Sequence, residues 1–576
     1  MIRFMSLRRI TFFRSFRRWS RSAAIVSTAA MMVVVQPGSA ANGATSAGDN
    51  FFAATRSIDL LGEVYKNVSQ SYVDPVDVSA FMYSGIDGMM AQLDPFTSFL
   101  DEAQSDELDE ITSGQYTGVG ITIAVFSGDL FVTSVIEGQP AAKAGVQTGD
   151  QIVAIDGVRT SKKAIDEIRN AIKGPPGTVV RLSIRRDGLG AAKVIAITRE
   201  EVRVSTVPYS GLFGSSGYVQ MNSFAEHSRE ELSSAIRAIR AEAAKNHVAL
   251  NGIVLDLRGN PGGLLTSAVE VAGLFVAKNS RIVSTRGRAA DSEQVYVTKT
   301  DPQAPSLPLV VLIDGDSASA SEIVSGAIQE LDRGVIVGES SFGKGLVQSI
   351  ITLPYDHILK LTTAKYYTPS GRLIQKPIAR DDSRRKVVLS TGDADSTKVF
   401  YTRNRRKVYG GGGIRPDVAV RADSLSEYQH TLENSGLLFR YASRFHRKHP
   451  EFQLQHLPSE PVCGEFNRFL EKERFVFRSD AQKSLDSVKM LIQKEDAENH
   501  KELDGQLDAL EKALAASTRR SLSRDSLRIT TALQREIMRH YDERGARRKA
   551  IESDSVAAKA FALLADPARY QALLKP

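Results

Sequence analysis

Ser319 and Lys344 are the side chains of this sequence whose types and setting suit joint chemistry. One is an alcohol that becomes a nucleophile once its proton is taken; the other is an amine able to take it. Ser319 stands in Asp316-Ser317-Ala318-Ser319-Ala320-Ser321-Glu322, and Lys344 in Phe342-Gly343-Lys344-Gly345. The apolar run over 309–314 suits a buried strand, and Val324, Ala327, Ile328 and Leu331 recur at helical spacing, which predicts a helix from 322 to 331. A serine at that junction lies where the unpaired N–H groups of a first helical turn can stabilise an oxyanion. Serine is also a preferred N-cap, so the position serves equally as a plain helix end. An amine acts as a base only when neutral, and lysine ordinarily has a pKa of about 10.4. Burial lowers that value by up to roughly 3–5 units. Phe342, Leu346 and Val347 offer apolar cover; the bland use of Lys344 is a solvated lysine in a glycine loop.

The elements around this pair follow from pattern. Residues 252–265, Gly-Ile-Val-Leu-Asp-Leu-Arg-Gly-Asn-Pro-Gly-Gly-Leu-Leu, read as a buried strand, a glycine turn and a helix start. Such a turn presents backbone N–H groups to an anion, either a phosphate or an oxyanion, unless it is an ordinary tight turn. The phosphate reading has a decoy in residues 338–344, which carry Walker A spacing. Gly345 stands where the magnesium-binding Ser or Thr belongs, and the β-branched stretch that follows predicts a strand, not the required helix. We discard the nucleotide reading.

The chain has 576 residues, too many for one core, and a net charge of +7. Residues 1–21 hold seven arginines and no acid, which accounts for the surplus; the remainder is near neutral, so nothing points to nucleic acid as a partner. An apolar run of 13 residues follows (23–35), then small residues near Ala40. This is short for a bilayer span, which needs about 20 residues. The segment 1–41 therefore reads as a secretory signal with transient membrane contact. Cys463 is the sole cysteine, so no intramolecular disulfide or thiolate cluster is expected. The nine histidines form no ligand pair, so neither a metal nor another cofactor is expected. None of them stands in a segment that would complete a Ser-His-Asp triad.

Along the chain, 42–50 reads as a small-residue linker and 51–103 as a helical region with Ile58, Leu61, Val64 and Val68 on one stripe. The pattern breaks at Leu93-Asp94-Pro95-Phe96-Thr97. Residues 104–200 alternate short β-rich runs (119–125, 130–136, 151–155, 179–185, 193–199) with glycine turns. Residues 201–424 alternate strand and helix patterns, an α/β core. Residues 425–576 are charged and helical, with Leu503, Leu507, Leu510 and Leu514 expected as a packed stripe.

Gly118-Val119-Gly120-Ile121, the run 134–145 with Gly-Gln-Pro-Ala-Ala-Lys-Ala-Gly, and Gly149-Asp150-Gln151-Ile152 resemble a PDZ domain. A glycine loop leading into an exposed strand edge takes a peptide as an added strand and holds its carboxylate on backbone N–H groups. That makes Gly118, Val119, Gly120 and Ile121 the candidate peptide-binding residues; the plain alternative is a β-module without a ligand.

Residues 217–224, the 255–265 segment, 316–322, 338–348, 366–372 and 412–417, in this order, resemble the carboxyl-terminal processing (tail-specific) proteases of the Ser-Lys type. The resemblance implies Ser319 as nucleophile, Lys344 as base and Gln348 as the residue that orients the amine. If 344–348 is extended, positions 344, 346 and 348 share a face, so the Gln348 carbonyl can hold the amine. Ala320, Gly262 and Gly263 are the oxyanion candidates. The fold expected is an α/β protease core (201–424) with a small β-rich PDZ domain (104–200) inserted after an N-terminal helical segment (51–103), plus an α-helical C-terminal extension (425–576). The function implied is that of an exported endopeptidase, in the periplasm, the cell envelope or outside the cell. It would act on proteins or peptides with a free C-terminus. Helices such as 51–103 pair subunits in relatives, which implies a homodimer or higher oligomer. A non-catalytic PDZ scaffold for envelope proteins is the alternative from another class.

Overall fold

The computed structural model describes residues 32–33, 47–186, 190–381, 386–389, 398–452, 459–495 and 501–576. Apart from 32–33, the expected signal segment lies outside the described residues, as do positions 42–46 of the linker. Positions 47–50 of that linker are helical, part of Ala47–Ser71. No helix among the described residues is long and apolar enough to cross a membrane. The chain forms two compact units, one of residues up to 114, 205–421 and 559–576, the other of 115–204 and 422–558.

The first unit is built on a six-stranded sheet in the order Tyr209–Phe213, Ser216–Gln220, Gly252–Asp256, Leu309–Ile313, Val335–Gly338, Val418–Ala419. The first pair is antiparallel and the rest are parallel. The central strands Gly252–Asp256 and Leu309–Ile313 are buried at every position. Unbroken apolar runs of this kind mark parallel strands covered on both faces. Helices Ser228–Lys245, Leu265–Ala272 and Ala320–Glu330 supply apolar partners for the same core cluster. A second sheet pairs Leu346–Thr352, Ile358–Tyr367, Arg281–Gly287 and Gln294–Val297 in that order, all antiparallel, with Ser98–Leu100 added to Ile358–Tyr367. Met32–Val33 pairs in parallel with Leu346–Thr352, opposite Gln348 and Ser349.

Two parts of this unit depart from the expected layout. Residues 102–113, read mostly as the start of the β-module, form the helix Glu102–Ser113 in the first unit. Its Leu108 packs with Leu264 and Ile358. Residues 559–576, read as part of the extension, also belong to this unit. Phe561 stacks on Phe213 at 5.3 Å, and Tyr570 Oη donates to Leu309 O at 3.0 Å while accepting from Leu309 N at 2.9 Å. A helical pattern tells which face is apolar but not what it will pack on.

Arg372 is wholly buried. Its Nε donates to Glu330 Oε1 at 2.7 Å, and the same carboxylate accepts from Thr368 Oγ1 and Ser370 N at 2.7 Å each. Removing one partner of a buried pair strands the other charge, at a cost of about 3–5 kcal/mol. Glu330→Ala should therefore lower unfolding stability by that amount in urea titrations. A change below about 1 kcal/mol, the scale of a solvated ion pair, would show that the pair is not desolvated.

In the second unit, a sheet runs Ile121–Phe126, Asp129–Val135, Gln151–Ile155, Val179–Arg185, Lys193–Thr198. Val132, Ile152, Ile168, Val180 and Leu182 fill its core, with Ile168 coming from the helix Ile165–Ile172. The remaining residues are helical, from Glu427–Asn434 to the long Lys501–Tyr541. Rings of Phe126, Phe131 and Phe439 meet at 5.6–6.4 Å, joining the sheet to the helix Leu437–Lys448. The leucine stripe expected to pack is only partly covered: Leu503 and Leu510 are exposed by 44% and 48%, while Leu507 and Leu514 are half-buried. The long helix buries Ile529, Ala532, Leu533 and Ile537.

Candidate active site

Ser319 sits between the strand Leu309–Ile313 and the helix Ala320–Glu330, which starts two residues earlier than its periodicity suggested. Its backbone has φ 57° and ψ −111°. Positive φ is costly for a side-chain-bearing residue and persists only where surroundings enforce it, as at a sharp strand-to-helix turn. The flanking serines show what the bland use looks like. Ser317 Oγ donates to Leu257 O at 2.8 Å, and Ser321 Oγ donates to Asn260 O at 2.9 Å. The hydroxyl of Ser319 is buried and has no hydrogen-bond partner among the described residues. It does not serve as a helix cap.

Glu322 fills that role in reverse and also ties in the lysine loop. Its Oε2 accepts from Ser319 N at 2.8 Å and from Lys344 N at 2.9 Å. Its Oε1 accepts from Gly343 N at 2.7 Å and from Ser341 Oγ at 2.5 Å. One carboxylate oxygen thus holds the backbones of both Ser319 and Lys344. The loop amides that the decoy motif would offer to a phosphate are spent on this carboxylate, and the strand Leu346–Thr352 follows, as its residues predicted. Burial pushes the Glu322 pKa up, against the four hydrogen bonds that favour its charged form.

Lys344 is 1% exposed, and its Nζ is also without a hydrogen-bond partner among the described residues. Burial, helped by the nearby Lys360 ammonium, lowers its pKa to about 7, with Asp94 and Glu322 pulling the other way. The aromatic cover comes from Phe96, whose ring centre lies 4.6 Å from Nζ. Phe342, expected in that role, is half-buried and faces Lys376. Leu346 and Val347 are buried as expected.

Gln348 is fully buried, and its Oε1 is the third polar atom here with no partner. The simple alternation expected over 344–348 does not hold. Lys344 precedes the strand, and the pairing with Ile358–Tyr367 shifts between Val347 and Gln348, leaving 346, 347 and 348 all buried. The shift sets Gln348 opposite Thr362, whose Oγ1 accepts from Gln348 Nε2 at 3.1 Å. A bulge of this type re-aims a side chain.

The glycine turn lies against the serine. A Cβ on Gly262 would come within 2.8 Å of Ser319 Cβ and 3.0 Å of Ala320 N, and one on Gly263 within 2.1 Å of Phe224 O. Their φ values are 108° and 146°, so both close approach and backbone require glycine. The Gly262 N–H is already donated to Asn260 Oδ1 at 2.9 Å. Of the three oxyanion candidates, Gly262 is therefore engaged within its own turn. Sequence reasoning missed Glu322 as a clamp, Phe96 as cover and Thr362 as a partner of Gln348. The signal for Phe96 was present in Asp94-Pro95-Phe96-Thr97, since Asp favours turns that accept their own downstream N–H groups.

In the second unit, Gly118 ends the strand Gln115–Gly118, and Ile121 opens Ile121–Phe126 at the end of the sheet order. Between them Val119 is buried, its carbonyl accepting from Ala141 N at 2.9 Å, and Gly120 has φ 78°.

Comparison with known proteins follows the same division. The profile of peptidase family S41 matches residues 215–383, that of the PDZ domain 131–186, and that of a "probable PDZ-protease, C-terminal helical domain" 428–564. The helical region thus has counterparts that its sequence did not suggest. A carboxy-terminal-processing protease of Bartonella bacilliformis is 39% identical over 320 residues, covering 56% of this chain and 73% of the relative. The carboxy-terminal processing protease CtpA of Bacillus subtilis is 32% identical over 332 residues, covering 58% and 68%. Among solved structures, a photosystem II D1 C-terminal processing protease is 29% identical, covering 58% of this chain and 91% of its own, with a TM-score of 0.32. The chain belongs to peptidase family S41, among the serine-type carboxy-terminal processing proteases.

Proposed function

We propose that this chain is an exported endopeptidase that holds the C-terminal region of a protein substrate on its PDZ domain and cuts with a Ser319–Lys344 dyad. The observation that carries the reading is the unspent Ser319 hydroxyl between two serines whose hydroxyls are spent, on the same carboxylate as a dry lysine. Leaving a buried polar atom unpaired costs about 1–3 kcal/mol. A scaffold that only binds peptides has no use for three such atoms in one site, which disfavours the alternative.

Neutral Lys344 takes the Ser319 proton as Oγ attacks the scissile carbonyl carbon. The oxyanion formed is met by the N–H groups of Ala320 and Gly263. The intermediate collapses, the C–N bond breaks, and the departing amine takes the proton back from Lys344. Water then attacks the Ser319 ester with Lys344 again as base, and the new carboxylate leaves with Ser319 reprotonated. Gln348 Oε1, unpartnered in this structure, is the acceptor offered to the lysine amine between these transfers.

The free edge of Ile121–Phe126 and the loop at Gly118, Val119 and Gly120 suit a peptide added as a strand, with its carboxylate on backbone amides. Export is supported by the arginine-rich and apolar segments of 1–41. Self-association is supported by Ile58, Leu61 and Val64, a helical stripe at least half exposed at each position.

An unstructured peptide with a free apolar C-terminus should be cut, and its C-terminal amide should show KM raised about 10–100-fold with kcat little changed. That range corresponds to losing charge-assisted hydrogen bonds of about 1.5–3 kcal/mol. Absence of turnover with any such peptide would sink the reading, and equal KM for acid and amide would remove the carboxylate from it.

A further inference from the structure

We propose that the turn Asp94-Pro95-Phe96-Thr97, with Thr362, is the positioning device of the site: it fixes which way the Gln348 amide faces, and so presents its carbonyl oxygen to Lys344. The proposal rests on the dyad reading above and concerns residues that the match to the peptidase family, 215–383, only partly contains.

Hydrogen-bond donors and acceptors along this line favour the arrangement that keeps every link. Asp94 is 8% exposed; its Oδ1 accepts from Phe96 N at 2.7 Å and Thr97 N at 2.8 Å, and its Oδ2 from Thr97 Oγ1 at 2.7 Å. An ionised carboxylate only accepts, so the single hydroxyl proton of Thr97 is committed to it. The oxygens of the Thr97 and Thr362 hydroxyls are 3.2 Å apart, and with Thr97 committed, Thr362 is the donor between them. Thr97 Oγ1 also accepts from Thr362 N at 3.2 Å, which holds the two residues in register. Thr362 Oγ1, its proton spent, is left to accept, and it meets Gln348 Nε2 at 3.1 Å.

Proton direction therefore runs from Gln348 through Thr362 and Thr97 to Asp94. The amide can turn over only if Thr362 withdraws its proton from Thr97, which breaks the link between the two threonine hydroxyls. With that link kept, Gln348 Oε1 faces away from Thr362, and that is the atom left buried and unpartnered, as is Lys344 Nζ. The same turn places the Phe96 ring 4.6 Å from that nitrogen. A turn some 250 residues upstream in the chain thus covers the amine and orients its acceptor.

Thr362→Val keeps the shape of the side chain and deletes the link. It leaves in place the charged neighbours of Lys344, namely Lys360, Asp94 and Glu322. In full-length protein, with active sites counted by covalent labelling of serine with a fluorophosphonate, kcat per labelled site should fall about 10–100-fold. Misplacing a catalytic group by about 1 Å costs up to about 10²-fold. KM should stay within about two-fold, the acid limb of the pH profile should not move, and Thr362→Ser should restore kcat to within a few-fold. In a Gln348→Ala background Thr362→Val should add almost nothing, because residues acting through one another are not additive. Full kcat in Thr362→Val, or losses that multiply in the double variant, would overturn the proposal. Lys344→Ala, assayed alongside, separates the two levels: if it still turns over peptide, the dyad itself is wrong.

Discussion

Lys344→Met should abolish peptide hydrolysis, by about 10⁴-fold, and yet give a protein more stable than the wild type. The loss of rate follows from removing the base. The gain in stability follows from the position of the amine. Lys344 is wholly buried and its pKa falls from 10.5 unfolded to about 7 folded, so folding disfavours its protonated form. The unfolded chain then binds more protons between these values, and wild-type stability rises with pH across that window. Below pH about 7 the full penalty applies, on the order of 5 kcal/mol at about 1.4 kcal/mol per unit of pKa. Methionine fills nearly the same volume with no charge. Unfolding curves of both proteins should therefore differ most at neutral and lower pH and converge toward pH 10. A variant less stable at pH 6, or a difference independent of pH, would mean that the amine is not dry. The same titration sets the wild-type rate profile: activity should rise through pH about 7 as the ammonium deprotonates.

Glu322→Ala should cost both fold and function. It would orphan four donors: Ser319 N, Lys344 N, Gly343 N and Ser341 Oγ. At about 1–3 kcal/mol for each buried unsatisfied group, the sum is at least about 4 kcal/mol. Urea unfolding in a Ser319→Ala background, free of self-digestion, would measure it. Glu322→Gln retains one acceptor oxygen and sets an NH₂ against the remaining donors, so it should fall between the two. If Glu322→Ala unfolds within about 1 kcal/mol of its parent, the carboxylate is not the clamp described here.

Local periodicity made much of this fold legible. The strands Gln151–Ile155 and Val179–Arg185 lie where their alternation put them, and the run around Leu309–Ile313 is a buried strand as its unbroken apolar character required. Ser319, Lys344 and Gln348 could be singled out because their segments are compact. Asp94, Thr97 and Thr362 could not, since their meaning lies in contacts between residues up to 265 apart. Arg372, a charged type normally solvated, is wholly buried because Glu330 meets it. The leucines of 503–514 show the opposite failure, since spacing that suits a packed face does not say how much of it will be covered.

The helix Pro567–Leu573 has a bearing on when such an enzyme becomes dangerous. Its Tyr570 bonds both backbone groups of Leu309, the first residue of the strand that leads to Ser319. Every reactive group is translated well before that tyrosine. A nascent chain thus carries its cutting residues while the strand beneath them still lacks its fastening, which leaves the ribosome only after them.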